Sequence, residues 1–307
     1  MAEAPAGLWA RWWFAVKPGS WPKLLVPCLL GQAIGLGAEG GVRVDALAAG
    51  LAFTALTTLF IVLLNDWGDR SVDALKRRMY PRTSGKKTIP DGILPARALL
   101  AGGSAAGAAA LSLGVLAGGW LDRPLFGVFA LGCLLIFVAY TLPPIRANYR
   151  GGGELLEMLG VGVALPWTQA YLQGGALALD GLWLLVGFSL LALASAIASG
   201  LADERSDRRG GKVTFVSRFG NLAGRRATEG LGFAGAVAWL ATAPLPLWLR
   251  AAPAVIVLFE VGRMLAVSDA AVTGAFEAQR RYKARLHAGM WRGALAAAML
   301  LAWRHLT

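Results

Sequence analysis

Long apolar runs alternate with short polar segments along this chain. The runs fall near Leu24–Gly37, Leu47–Leu64, Ala98–Gly118, Leu125–Leu142, Leu155–Leu172, Leu182–Gly200, Gly230–Leu247, Ala252–Val267 and Met290–Trp303. Crossing a bilayer as a helix takes about 20 such residues, so the pattern predicts an all-α, polytopic membrane protein of about nine transmembrane helices. Glycine and alanine recur inside the runs, as in Ala101-Gly102-Gly103-Ser104-Ala105-Ala106-Gly107, and small residues let membrane helices approach closely.

Composition strengthens this picture. Of 307 residues, 56% are hydrophobic, whereas soluble domains average roughly 45–50% even with glycine included. The net charge of +12 would suit nucleic acid, but its distribution follows a topology rule instead. The segments after the second, fourth, sixth and eighth runs hold 8, 2, 7 and 4 Lys and Arg residues. The opposite loops and the C-terminus hold only Arg43, Arg123, Arg250 and Arg304. The basic loops and the N-terminus, with Arg11, Lys17 and Lys23, are therefore expected in the cytoplasm of a multi-pass protein of the cell (inner) membrane. The first twenty residues lack the apolar core of a cleavable signal; Trp9, Trp12 and Trp13 among basic residues read as an interfacial helix. Cys28 and Cys133 lie in apolar runs, and His287 and His305 are far apart, so neither a disulfide framework nor a zinc site is expected.

Two acidic clusters sit where apolar runs end. The first is Asn65-Asp66-Trp67-Gly68-Asp69-Arg70-Ser71-Val72-Asp73, and the second is Asp203-Glu204-Arg205-Ser206-Asp207 with Gly210-Gly211-Lys212 after it. Acids at the end of a membrane helix are costly and call for a partner. The spacing places Asp66, Asp69 and Asp73 on one helical face, with Asp203 and Asp207 one turn apart. Hard oxygen ligands beside a phosphate-friendly Gly-Gly-Lys suit Mg²⁺ held jointly by carboxylates and a diphosphate. Superposing the clusters gives an offset of 134 residues and sets Asn65 over Ser199. That offset implies one domain of two related four-helix halves, 21–154 and 155–287, plus a last helix, 288–307, after the interfacial segment 1–20. Both clusters would then face one central cavity.

Cations nearby are candidates for the diphosphate: Lys212, and from the loop after the first cluster Arg78, Arg82 and Lys87. Beyond the fourth run, Arg146 and Arg150 could meet phosphate or carboxylate. Tyr140 and Tyr149 could offer ring faces to a cation or anchor the interface. Glu154 and Glu157 open the fifth run, where acids bond neighbouring helices or a polar substrate. Glu204 is expected to pair with Arg208, and Glu260 with Arg263.

Taken together, Asn65-Asp66-x-x-Asp69-x-x-x-Asp73 and Asp203-x-x-x-Asp207-x-x-x-Gly211-Lys212-x-Thr214 resemble the UbiA superfamily of intramembrane prenyltransferases. The resemblance implies Mg²⁺-assisted transfer of a polyisoprenyl group from its diphosphate to a small aromatic acceptor. It implies metal binding by Asp66, Asp69, Asp73, Asp203 and Asp207, and substrate binding by Asn65 and the cations above. Lys17-Pro18-Gly19-Ser20-Trp21-Pro22, Tyr149-Arg150-Gly151-Gly152-Gly153-Glu154 and Ala170-Tyr171-Leu172-Gln173-Gly174 look like the MenA-type branch. That branch prenylates 1,4-dihydroxy-2-naphthoate in menaquinone synthesis. Lys17 stands where the branch more usually has Arg, and Ser199 where the second motif commonly has Asn. Other acceptors remain open: 4-hydroxybenzoate, geranylgeranylglycerol phosphate or a chlorophyll-type ring. A divalent-cation transporter and a noncatalytic lipid-binding scaffold are the readings from other classes. The expected partners are the two substrates and membrane lipid, with no nucleic acid and no evident protein partner.

Overall fold

A computed structural model describes residues 7–39 and 41–306. Among these residues the chain is helical. A short helix α1 (Leu8–Ala15) precedes α2 (Pro22–Glu39), α3 (Val44–Gly68), α4 (Arg70–Met79), α5 (Ala96–Trp120) and α6 (Phe126–Thr141). A composite helix follows, made of α7 (Gly153–Glu157), a π-helical stretch (Met158–Ala164) and α8 (Leu165–Gly174). Then come α9 (Leu184–Gly200), two short helices α10 (Glu204–Arg209) and α11 (Phe215–Phe219), and finally α12 (Asn221–Leu240), α13 (Leu247–Leu265) and α14 (Phe276–Leu306). The stretches 44–68, 96–120 and Asp180–Gly200 are long and apolar enough to cross a membrane, and Phe126–Thr141 is a shorter apolar helix.

The long helices close into a ring. Neighbours pack in the order α2, α3, α5, α6, the composite helix, α9, α12, α13 and α14, and α14 returns to α2. Helix α2 also packs along α8, which ties the first half to the second. Small residues make that seam possible. A Cβ on Gly35 would lie 2.6 Å from the Ala170 carbonyl oxygen, and Gly174 sits against the Gly35 carbonyl in return. Gln32 and Gln169 bond across the same seam at 2.7 Å, so the polar atoms that close approach buries are satisfied.

The 134-residue offset maps α3 and α4 onto α9 and α10, and α2 onto the composite helix. Beyond the clusters the register shortens. Loop 80–95 is longer than its counterpart, so α12 begins at Asn221 rather than near Gly230. Its first turns bury Arg225, Thr228 and Glu229 in a bonded network with Ser268 and Tyr282. Charge compensation therefore lets polar residues stand inside a helix whose hydropathy alone reads as loop. The same helix stops at Leu240, ahead of Pro244 and Pro246. Likewise α14 starts at Phe276, so the expected boundary at residue 288 falls inside a helix. Its extra turns are polar and held by Glu277 to Arg280 and Arg281 pairs.

On helix α1, Trp9 and Trp13 are exposed and stacked at 6.1 Å. Trp12 turns inward over Gly102 of α5. Residues 1–6 of the expected interfacial segment and Thr307 of the last helix lie outside the described residues.

Gly35→Leu should separate α2 from α8, because overpacking a tight core costs about 1–3 kcal/mol or more. Gly262→Ala meets nothing within 4 Å and should be neutral or stabilising by about 0.5–1 kcal/mol. Thermal unfolding in detergent with size-exclusion recovery checks both; equal behaviour of the two variants would contradict the close seam.

Candidate active site

The ring encloses a cavity of about 360 Å³ with two different ends. Its inner wall is apolar, with Ile61, Phe137, Leu156, Val161 and Leu165 among the lining residues. Its other end carries Asn65, Asp66, Asp69, Asp73, Asp203 and Asp207, together with Lys17, Lys23, Lys87 and Lys212. The π-helical stretch forms part of the wall. Gly160 and Gly162 lie in it, and a Cβ on Gly162 would come within 2.7 Å of the Ser189 Cα on α9.

The acids arrive on two broken helices. Helix α3 ends at Gly68 and α4 restarts at Arg70, while backbone bonds from Asp69 to Asn65 (2.9 Å) and from Asp73 to Asp69 (2.8 Å) keep the helical path. Arg146 reinforces the break: its guanidinium donates to the Gly68 carbonyl (3.1 Å) and lies 3.6 Å over the Tyr149 ring. On the other side, α9 gives way to α10 with Asp203 at its N-cap.

Each acid but one has its own lysine. Asp66 pairs with Lys17 and also accepts from the Thr88 hydroxyl at 2.7 Å. Asp73 pairs with Lys87 at 2.6 Å. Asp69 pairs with Lys212 at 2.7 Å and accepts from the Tyr149 hydroxyl at 3.1 Å. Asp203 pairs with Lys76. Two of these pairs cross between the halves: the lysine after each motif holds an acid of the other motif. Asp207 stands apart, with no salt bridge among the described residues.

The electrostatics follow from that pattern. Burial, then the neighbouring Asp203 charge, push the Asp207 carboxyl up to about 7. Burial alone would raise Asp203 as well, but Lys76 and Lys87 bring it below its ordinary value. Burial also works against the Lys212 ammonium, yet Asp69, with Tyr140 and Asp207 adding to it, holds that group above its usual range. The Tyr149 hydroxyl is raised to about 12 by burial and by the Asp69 charge.

Asp66, Asp69 and Asp73, expected on one helical face, turn to Lys17, Lys212 and Lys87 respectively. Among the described residues no three His, Cys, Asp or Glu side chains form a metal-sized group. Carboxylates this close repel one another, and separate ammoniums balance them. The donor set nonetheless fits Mg²⁺: five hard carboxylates surround one cavity end, and Asp207 is a buried acid without a salt bridge among the described residues.

The other candidates divide clearly. Asn65, Lys87, Tyr140, Glu154 and Lys212 line the cavity with the acids. Glu154 also caps α11 by accepting from the Phe215 N–H at 2.6 Å. Tyr149 and Arg146 lie behind Asp69 as its support. Arg78, Arg82 and Arg150 are exposed and do not line the cavity; in loop 80–95, Arg77 takes Asp91 (2.8 Å), and Lys87 and Thr88 turn inward to Asp73 and Asp66. Glu204 meets Arg208 at 3.5 Å as expected and also accepts from Thr273 at 2.5 Å.

Several lining residues were not legible as candidates. Lys17 reaches Asp66 from a left-handed turn with φ 48°. Lys23 pairs with Glu157, which lies 134 residues further along the chain. Asn148 is 2% exposed and lines the cavity, and neither its amide nitrogen nor its oxygen has a partner among the described residues. Nothing in the local sequence marks it; only tertiary placement does.

The description of the UbiA prenyltransferase family matches residues 24–273. The chain is 28% identical over 227 residues to the chloroplastic chlorophyll synthase of Avena sativa, a match covering 71% of this chain and 57% of that protein. A similar match to the Oryza sativa subsp. japonica chlorophyll synthase, at 28%, covers 66% and 54%. The chain thus spans little more than half the length of these curated relatives. Its fold is similar to a UbiA homolog from Archaeoglobus fulgidus bound to GPP and Mg²⁺, with TM-score 0.68 and 16% identity over 95% of this chain and 99% of the other. An apo UbiA homolog from Aeropyrum pernix K1 aligns at TM-score 0.63 and 16% identity, covering 86% and 95%. With its family match running from the start of α2 past the end of α13, this chain belongs to the UbiA prenyltransferase family.

Proposed function

We propose that this chain is a multi-pass prenyltransferase of about nine spans that moves a polyisoprenyl group from its diphosphate to an aromatic acceptor. The observation that carries the reading is the placement of two acid clusters, crosswise paired with lysines, at the polar end of an apolar cavity. Asp66, Asp69 and Asp73 on one side and Asp203 and Asp207 on the other would hold Mg²⁺. When bound, Mg²⁺ supplies neutralisation of the charge that develops on the departing diphosphate.

The chain's own residues do the rest. Lys212, Lys87 and Lys17 line the cavity against the carboxylates, with Lys76 holding Asp203 beside them, and ammoniums so placed suit the oxygens of a diphosphate. Tyr149 and Arg146 fix Asp69. The unpartnered Asn148 amide offers a donor and an acceptor to substrate, and leaving such a group unmet costs about 1–3 kcal/mol. As the allylic C–O bond breaks, the apolar wall keeps water from the carbon cation. The Phe137 ring, packed 5.2 Å from Phe60, presents π density to that wall. The acceptor ring carbon attacks and a ring proton or carboxyl group leaves.

For the acceptor, 1,4-dihydroxy-2-naphthoate is the proposed substrate. Its carboxylate suits Lys23 at the cavity end, where Glu157 is the present partner. About 360 Å³ is near the small end of ligand pockets, roughly 300–1,000 Å³, which favours a bicyclic acceptor beside the allylic head over a macrocycle. A chlorophyll-type acceptor is the second reading, favoured by the 28% identity to chlorophyll synthases.

Purified protein given a polyprenyl diphosphate, Mg²⁺ and each acceptor in turn should yield a prenylated, decarboxylated naphthol by mass. Product only with 4-hydroxybenzoate or with a chlorophyllide would replace the acceptor; none with any would remove the transferase reading. Asp69→Asn and Asp203→Asn should each lower kcat by about 10²-fold or more, checked in steady-state assays on folded protein; retention of full turnover by either would contradict the shared site. Asn148→Ala should raise the KM for one substrate about tenfold and spare kcat, and an unchanged KM for both would show that the amide meets neither.

A further inference from the structure

A second charge cluster lies on α13 and α14, outside the cavity. Glu260 of α13 is 1% exposed, yet three arginines converge on its carboxylate. Arg292 donates to Oε1 at 2.8 Å, Arg263 donates to the same oxygen at 3.3 Å, and Arg285 stands 3.9 Å from Oε2. Oε2 accepts no hydrogen bond. The approach is close because Gly289 lets α14 lie against α13; a Cβ there would be 3.1 Å from the Glu260 Cβ. One carboxylate thus serves three guanidiniums, and two positive charges are left over.

Those charges face outward. The arginine side chains at 263, 285 and 292 are 42%, 39% and 65% exposed. Beside them a groove of about 350 Å³ is lined by Val255, Ile256, Phe259, Glu260 and Arg292, and the Phe259 ring is 64% exposed. The depth of the cluster can be read along α14. Trp303, paired with Trp248 at 5.5 Å, marks the far interface. It lies eighteen residues beyond Arg285, about 27 Å of helix at 1.5 Å per residue, close to the ~30 Å of a hydrocarbon core. Arg285 therefore sits at headgroup level on the side of the acid clusters, where Thr273 meets Glu204. Arg292 sits about 10 Å further in. An arginine so placed beside lipid is costly unless an anion reaches it, and Glu260 is already shared.

We infer that this groove binds an anionic phospholipid. Arg263 and Arg292 take the phosphate, for which the guanidinium fork is suited. An acyl chain lies along Val255, Ile256 and Phe259. Such a lipid joins α13 to α14 where α14 returns to α2, and so braces the closing edge of the ring.

Full-length protein, delipidated in neutral detergent, would be titrated with phosphatidylglycerol, phosphatidylcholine or inorganic phosphate. Thermal unfolding and native mass spectrometry would be read together. Phosphatidylglycerol should raise Tm and remain bound, and the other two should not. Arg292→Gln should weaken its retention about fivefold. Arg263→Gln, which keeps the short Arg292–Glu260 pair and so the fold, should weaken it similarly. Equal shifts with phosphatidylcholine, equal shifts with free phosphate, or retention unchanged in both variants would overturn the proposal. So would a concentration-dependent dimer abolished by Arg263→Gln, which would place a second copy on this face.

Discussion

The structure depends on a crosswise exchange of charge between its halves. Lys76, which follows the first acid cluster, holds Asp203 of the second; Lys212, which follows the second, holds Asp69 of the first. Buried carboxylates gathered at a helix end repel one another and resist ionisation. The exchange relieves this and fixes the distance between two helix breaks far apart in sequence. It also loads the polar end of the cavity with ammoniums and carboxylates in near balance. A magnesium diphosphate brings both a cation and an anion, so it can take over both sets of partners.

Everything around that exchange serves to hold it in an apolar enclosure. The ring closes through the glycine seam of α2 with α8 and through the return of α14 to α2. Arg146, Tyr149 and Asp91 act one layer back: they shape the α3 break and the 80–95 loop so that Asp69, Lys87 and Thr88 turn inward. Glu154 does the same for the loop bearing Lys212, through its bond to the Phe215 N–H. The polar end is thus built from two helix breaks and the loops beside them, and the apolar wall from helices. That division suits a reaction whose charged step is at one end and whose lipid tail is at the other.

The helical character of the ring was legible because apolar helices announce themselves by hydropathy, three of them long and apolar enough to cross a membrane, and the acid clusters because carboxylates at helix ends are costly. The two shortfalls have one cause. The first turns of α12 and α14 are polar, and their charges are satisfied by side-chain or backbone partners, Ser268 for Arg225 in α12 and Glu277 for Arg280 and Arg281 within α14. Hydropathy along the chain cannot register such a partner. The same holds in the candidate site. Asp66, Asp69, Asp73, Asp203, Asp207 and Lys212 stand out by spacing. Choosing among loop cations needs the loop's fold, which selects Lys87 and leaves Arg78 and Arg82 exposed. Asn148 and the Lys23–Glu157 pair become visible only once the halves face each other.

The most direct test of a single site shared by both halves is calorimetric binding of a non-cleavable polyprenyl diphosphate analogue, with Mg²⁺ and with chelator. Wild type, Asp69→Asn and Asp203→Asn would be compared in the same detergent. The account predicts Mg²⁺-dependent binding that is weakened at least about tenfold by either substitution, since each removes a charge from one common centre. Binding that survives unchanged when either half loses its acid, or that ignores Mg²⁺, would contradict it.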